Sequence, residues 1–279
     1  MPGTPMRRTR PVRRASAGLS PVRAGAALTL LVAAAATYGV ANSSAFSDGR
    51  LAIEGAVFTT TEDLEAAMAP AVGVNLFALS SGPLEARLMD LPTVADASVA
   101  VRLPDTVAVR LTERTPILIW ELGARHYLVD VDGAIFARID AEDPPPAAAT
   151  LPRIQDRRAG SVGLALGRAL DPVDLDAARR LASLVPSDVG SEADRLTVIV
   201  DDRSGFLLVG RPVGWRAVFG FYTASLRTTD LIPGQVRLLR SLLVGREQLV
   251  ERVILASETD GTYVPRPTPE PTPEPSPEP

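Results

Sequence analysis

Two residue types that carry much of protein chemistry are absent from this sequence. It contains no cysteine, and all 29 basic residues are arginine because lysine is missing as well. These absences exclude disulfides, thiolate nucleophiles, cysteine zinc sites, Schiff-base lysines and the phosphate-binding lysine of a P-loop. The single histidine, His126, lies in a strand-like stretch and is expected to be structural. No spacing typical of a catalytic, cofactor or metal site occurs, so we expect neither an enzyme nor a cofactor, and a secreted hydrolase is disfavoured.

Charge is distributed unevenly along the chain. Residues 1–47 contain six arginines and no acidic residue, which leaves 23 arginines against 33 carboxylates in the remainder, a formal charge of −10. A basic N-terminal segment followed by an acidic remainder argues against nucleic acid binding by that remainder.

An uncharged run, residues 24–46, follows the basic tail of residues 1–23. A bilayer needs about 20 apolar residues, so this run predicts a single transmembrane helix. The positive-inside rule places the basic tail in the cytoplasm and everything after the span outside. The alternative is a cleaved signal peptide with Ser43-Ser44-Ala45 as its small-residue cleavage site. In both cases the folded part lies outside the cytoplasm.

Residues 48–115 carry the pattern of a small α+β domain in the order β-α-α-β-β. A short strand leads to a helix that we expect Thr59 and Glu62 to cap, and a second helix begins near Pro83. Two strands of strict alternation then flank the turn at Pro104-Asp105. A hairpin alone is unstable in water, so the two helices are expected to cover its apolar face.

Several motifs of this domain occur in a fixed order between Leu51 and Phe136. They are Gly73-Val74-Asn75-Leu76-Phe77, Leu91-Pro92-Thr93-Val94, Arg102-Leu103-Pro104-Asp105-Thr106, Glu113-Arg114-Thr115-Pro116 and Trp120. Together they resemble the POTRA domain of the FtsQ/DivIB family of cell-division proteins, whose basic N-terminus and single span are also similar. Thr93 departs from the family, which usually has an aromatic residue there.

Residues 116–258 predict a second, mixed and mainly antiparallel β-domain. Asp132-Gly133 is a hairpin turn signal, and Asp171 followed by Pro172 marks the start of a helix. The strand Gly214–Gly220 resembles part of the β-domain of the same family. Residues 259–279 predict an extended, disordered tail, in which every second residue from Pro265 onward is proline.

The last predicted strand is the candidate partner-binding site. Being last to join its sheet, it is expected at an edge, where unpaired N–H and C=O groups can accept a partner strand. The alternative is that the strand is covered by its own chain. The resemblance implies that this part of the β-domain binds an FtsB/DivIC-like protein. The candidate residues are Glu251, Arg252, Val253, Ile254, Leu255 and Tyr263.

The resemblance implies a bitopic scaffold of the division machinery, located at the septum in the plasma membrane. It would hold FtsB/DivIC-like and FtsL-like bitopic proteins and, through them, help control the septal peptidoglycan synthase. No small-molecule substrate is expected. The alternative is a POTRA-containing chaperone or protein-transport factor, although such proteins usually carry several POTRA repeats or a membrane barrel, and the sequence has neither.

Overall fold

The computed structural model describes residues 21–41, 43, 46 and 50–267. The basic tail up to residue 20 and the proline-rich residues from 268 onward lie outside the described residues. Within them, helices and strands form an isolated apolar helix and two α+β domains, which confirms the predicted fold class.

The first element, α1 (Pro21–Ala41), is the predicted apolar helix. Side chains from Val22 to Val40 are all exposed, unlike those of a soluble core helix. Its two threonines bond their hydroxyls within the helix, Thr29 to the carbonyl of Gly25 and Thr37 to that of Ala33. The helix therefore presents an apolar surface with satisfied polar groups, as a bilayer requires.

The first domain has the predicted β-α-α-β-β order. Its elements are β1 (Arg50–Glu54), α2 (Thr61–Met68), α3 (Ser81–Met89), β2 (Val94–Arg102) and β3 (Thr106–Glu113). β3 lies in the middle of the sheet, parallel to β1 and antiparallel to β2. Alternate residues of β2 and β3 pack against the buried leucines of both helices, so the helices do cover the hairpin.

The second domain contains two helices and nine described strands in one sheet. In chain order they are β4 (Leu118–Leu122), β5 (Arg125–Val129), β6 (Ile135–Ile139), β7 (Arg153–Asp156), α4 (Pro172–Ala182), β8 (Arg195–Asp201), β9 (Gly205–Arg211), β10 (Arg216–Gly220), α5 (Ile232–Leu243), β11 (Val250–Leu255) and β12 (Gly261–Pro265). Five strand pairs are antiparallel and three are parallel. The main core lies between the sheet and the two helices, with α4 capped by Asp171 as predicted.

Glu113 and Arg114, at the end of β3, bond the first domain internally and link it to the second. The Glu113 carboxylate accepts the N–H groups of Val57, Phe58 and Thr59, each at 2.8 Å, and the Thr59 hydroxyl at 2.5 Å. Arg114 donates to Asp130 Oδ2 at 2.6 Å, across the domain boundary. Adjacent residues thus close the first domain and attach the second.

This arrangement corrects the predicted cap of α2. Thr60, not Thr59, is the N-cap residue, and its hydroxyl accepts the N–H of Asp63 at 3.1 Å. Thr59 instead bonds Glu113 and lies 2.6 Å from the hydroxyl of Thr93. The residue that departs from the family pattern is therefore part of the Glu113 hydrogen-bond network.

Candidate partner-binding edge

The two edges of the large sheet are β6 and β12, and β12 had not been predicted as a strand from the sequence. The described strands run in the order β12-β11-β10-β9-β8-β7-β4-β5-β6, so β11 lies between β10 and β12. The expectation that residues 251–257 form an edge is therefore wrong. The ordered sheet also continues to Pro265, past the predicted boundary at residue 258 and into the predicted tail.

The pairing of β12 determines which of its backbone groups are available. The N–H of Ala256 bonds the carbonyl of Asp260, and the same antiparallel register pairs Ile254 with Thr262 and Val253 with Tyr263. Hydrogen-bonded and non-hydrogen-bonded pairs alternate along such a ladder. The N–H and C=O groups of Gly261 and Tyr263 therefore point away from β11, toward an added strand.

The six candidate residues fall on both faces of this edge. Val253 and Leu255 are fully buried beneath α5, so their side chains support the sheet and are not accessible to a partner. Glu251 and Arg252 are exposed, as are Ile254 (38%) and Tyr263 (42%).

Two arginines lie side by side on the face of the sheet without helices. The parallel register sets Arg252 of β11 directly beside Arg216 of β10, and both side chains are exposed. The next pair in the same register, Ile254 and Val218, adds apolar surface. Like charges directly opposite each other are unfavourable unless an anionic group meets them.

A buried polar network holds the end of β11 in place. The Arg227 guanidinium donates to the carbonyls of Phe219, Leu255 and Ala256, and Gln235 donates to those of Phe219 and Leu255. The Tyr222 hydroxyl donates to Gln235 at 2.7 Å, and burial raises the pKa of Tyr222 well above its ordinary value, despite the nearby Arg227. The strand that supports β12 is thus fixed by donors from α5 and the loop before it.

Sequence reasoning missed Gly261, Thr262 and Val264 of the edge strand. A signal was available, because the polar run of residues 257–260 separates two strand-like stretches, as a hairpin loop does. The glycine also meets a close contact, since a Cβ at position 261 would lie 3.0 Å from Leu238 Cδ2.

Comparison with known proteins bears on both domains. The family model described as "POTRA domain, FtsQ-type" matches residues 46–114. The Cell division protein FtsQ of Chloroflexus aurantiacus is 26% identical over 247 residues, which are 88% of this chain and 80% of that protein. These matches support a cell-division protein that carries an FtsQ-type POTRA domain and is similar to FtsQ proteins over most of its length. The described residues include one candidate membrane span, at Val22–Val40.

Other FtsQ proteins are similar to this chain over shorter stretches. The FtsQ protein of Streptomyces coelicolor is 32% identical over 169 residues, or 60% of this chain and 62% of that protein. The FtsQ protein of Mycobacteroides abscessus is 27% identical over 163 residues, or 58% and 48% of the two chains. In both cases the matched region spans less than two thirds of the relative.

Proposed function

We propose that this chain is a bitopic scaffold of the division machinery that captures a partner strand at β12. Its basic N-terminus is cytoplasmic, α1 crosses the plasma membrane once, and the POTRA and β-domains face outward at the septum. The partners are FtsB/DivIC-like and FtsL-like bitopic proteins, through which the scaffold helps control the septal peptidoglycan synthase. It acts by binding, without turnover, cofactor, small-molecule substrate or nucleic acid.

The open edge of β12 is the observation that carries this proposal. Gly261 and Tyr263 offer unpaired backbone groups next to a strand that is fixed on its other side by β10. Main-chain hydrogen bonds from such an edge supply affinity to an extended peptide, and neighbouring side chains supply specificity. The predicted site therefore moves by one strand, from β11 to β12.

The side chains around the edge favour an extended segment with an acidic residue and an apolar residue. An acidic group would relieve the Arg216–Arg252 juxtaposition, and an apolar group would cover Ile254, which is 38% exposed. Tyr263, at 42% exposure, supplies a flat amphipathic contact on the other face. Glu251, which is exposed and precedes Arg252 in β11, would disfavour an acidic partner group placed next to it.

The substitution Tyr263→Pro tests strand addition directly. Because the Tyr263 N–H points outward, proline removes a donor that serves only the partner and leaves the pairing with β11 intact. Tyr263→Ala is the matched control, since it removes the same side chain and keeps the N–H. We expect Tyr263→Pro to bind the co-expressed FtsB/DivIC-like protein about tenfold more weakly than Tyr263→Ala, the value of one hydrogen bond of about 1.4 kcal/mol. Equal affinities of the two variants would contradict strand addition at β12.

The cellular role has a separate test. A fluorescent fusion should gather at midcell, and depletion of the chain should give filamentous or unseparated cells. Normal septation combined with defective protein export would instead favour a chaperone or transport role.

A further inference from the structure

We propose that the end of the POTRA domain nearest α1 docks into the outer leaflet of the membrane through exposed apolar side chains of two loops. This inference rests on the proposed function, because it requires α1 to be a membrane anchor. The surface is named here the membrane-facing end and comprises Val72, Phe77 and Leu103, with Arg50 and Arg102 at its rim.

The topology of the domain brings these residues to one end. The N–H of Arg50, at the start of β1, bonds the carbonyl of Asp105 in the β2–β3 turn. The loop between α2 and α3 lies at the same end, because the N–H of Leu76 bonds the carbonyl of Phe46, just before β1. The rings of Phe46 and Phe77 also meet edge to face, with centroids 5.1 Å apart.

The side chains of these loops are unusually apolar for a solvent-exposed surface. Val72 is 81% exposed, Phe77 54% and Leu103 55%. The chain carries no charged residue from 66 to 84, a stretch that includes the whole loop between α2 and α3. Exposed large apolar side chains that collect at one end of a domain are typical of a contact site.

The bilayer is the partner expected for the membrane-facing end, because only a short segment separates this end from α1. Ala41, the last residue of α1, and Phe46 are separated by five peptide steps, which span at most about 18 Å. The polar headgroup layer adds about 5–8 Å to each side of the hydrocarbon core, so Phe46 and the loop it contacts are held close to the lipid surface. Tyr38, 73% exposed near the outer end of α1, is placed where interfacial aromatic residues are enriched.

The charges at this end suit an anionic membrane surface. Asp105 is neutralised by Arg50, with 3.5 Å between the ion-pair atoms, and Arg102 is exposed nearby. The three charged residues named at this end therefore carry a net charge of +1 beside the apolar tip, a sign that is compatible with acidic lipids. Docking would fix the tilt of the POTRA domain and thereby the direction in which the β12 edge is presented.

The absence of cysteine allows a sharp test with single nitroxide labels on the full-length chain. Val72→Cys reports on the membrane-facing end, and Val57→Cys is the matched control, because Val57 is 73% exposed at the opposite end of the same domain. The protein is placed in nanodiscs of phosphatidylethanolamine and phosphatidylglycerol. Collisions with oxygen, which partitions into lipid, are compared with collisions with a water-soluble nickel chelate.

We expect the label at position 72 to lose nickel collisions and gain oxygen collisions relative to the label at position 57. Equal nickel accessibility at the two positions, whether high or low, would overturn the inference. A third label at Leu30→Cys separates the two proposals. If Leu30 lies in lipid while position 72 behaves like position 57, only the docking is wrong; if the label at Leu30 is in water, the membrane anchor is wrong as well.

Discussion

The substitution Glu113→Ala tests whether one carboxylate closes the POTRA domain. Glu113 accepts four hydrogen bonds, three of them from the part-buried N–H groups of Phe58 and Thr59 and the Thr59 hydroxyl. The fourth, from the N–H of Val57, is exposed and can be replaced by water. Leaving three part-buried donors without an acceptor at about 1 kcal/mol each lowers the free energy of unfolding by about 3 kcal/mol.

The assay has to report on the POTRA domain specifically. Both tryptophans, Trp120 and Trp215, lie in the second domain, so their fluorescence does not follow unfolding of the first. Amide hydrogen exchange of a peptide covering β3 (Thr106–Glu113) does. A loss of about 3 kcal/mol should raise its exchange rate about 100-fold where exchange requires opening of the domain.

The control is Glu54→Ala in the same domain. Glu54 pairs with Arg110 at 3.3 Å, but both side chains are more than 60% exposed, so its loss should cost about 0.5 kcal/mol or less. Glu113→Gln keeps one acceptor oxygen and should fall between the two. If Glu113→Ala exchanged no faster than Glu54→Ala, the carboxylate would not be closing the domain, and the reasoning would be refuted.

Two further predictions concern the second domain, and tryptophan fluorescence measures both. Burial raises the pKa of Asp156, but hydrogen bonds from Arg158 and Ser161 outweigh it and hold that pKa below its ordinary value of 3.8. The stability that this lowered pKa provides is fully present above pH 3.8 and is lost as pH falls through the pKa of Asp156 in the folded protein. Asp156→Asn should therefore be less stable at pH 7, and its stability should fall less steeply at acid pH. An unchanged loss of stability at acid pH would contradict this. Gly205→Ala should prevent folding, because Gly205 has φ +68° and a Cβ there would lie 2.3 Å from the carbonyl oxygen of Gly220. Gly123→Ala is the control: its φ is +59° but a Cβ there would meet open space, so the substitution should lower the free energy of unfolding by only about 1 kcal/mol. Similar melting of the two alanine variants would contradict the steric argument.

The Glu113-Arg114 pair shows how one short motif can serve two domains. Glu113 accepts hydrogen bonds from the residues that precede α2. Arg114 contacts Asp130, whose side chain is almost fully buried at the turn between β5 and β6. Asp130 also accepts the N–H groups of Asp132 and Ala134, so the same carboxylate shapes that turn and receives the arginine. The orientation of the second domain therefore depends on Arg114, the residue that follows β3.

Local patterns in the sequence were enough to identify the apolar helix, the β-α-α-β-β order and the class of the second domain. Each rests on interactions between near neighbours: the length of an uncharged run, the alternation of β2 and β3, and the Asp171-Pro172 start of α4. Such signals are carried by a few consecutive residues, so they can be read without knowing the rest of the fold.

The order of strands in the large sheet was decided only by the tertiary structure. Whether β11 or β12 lies at the edge depends on which of them pairs with β10. β11 takes that place because Val253 and Leu255 are buried beneath α5. Arg227 and Gln235 also donate hydrogen bonds to the carbonyl of Leu255. These contacts join residues far apart in the chain. Strand propensity cannot encode them, because a buried strand and its edge neighbour can share the same local pattern.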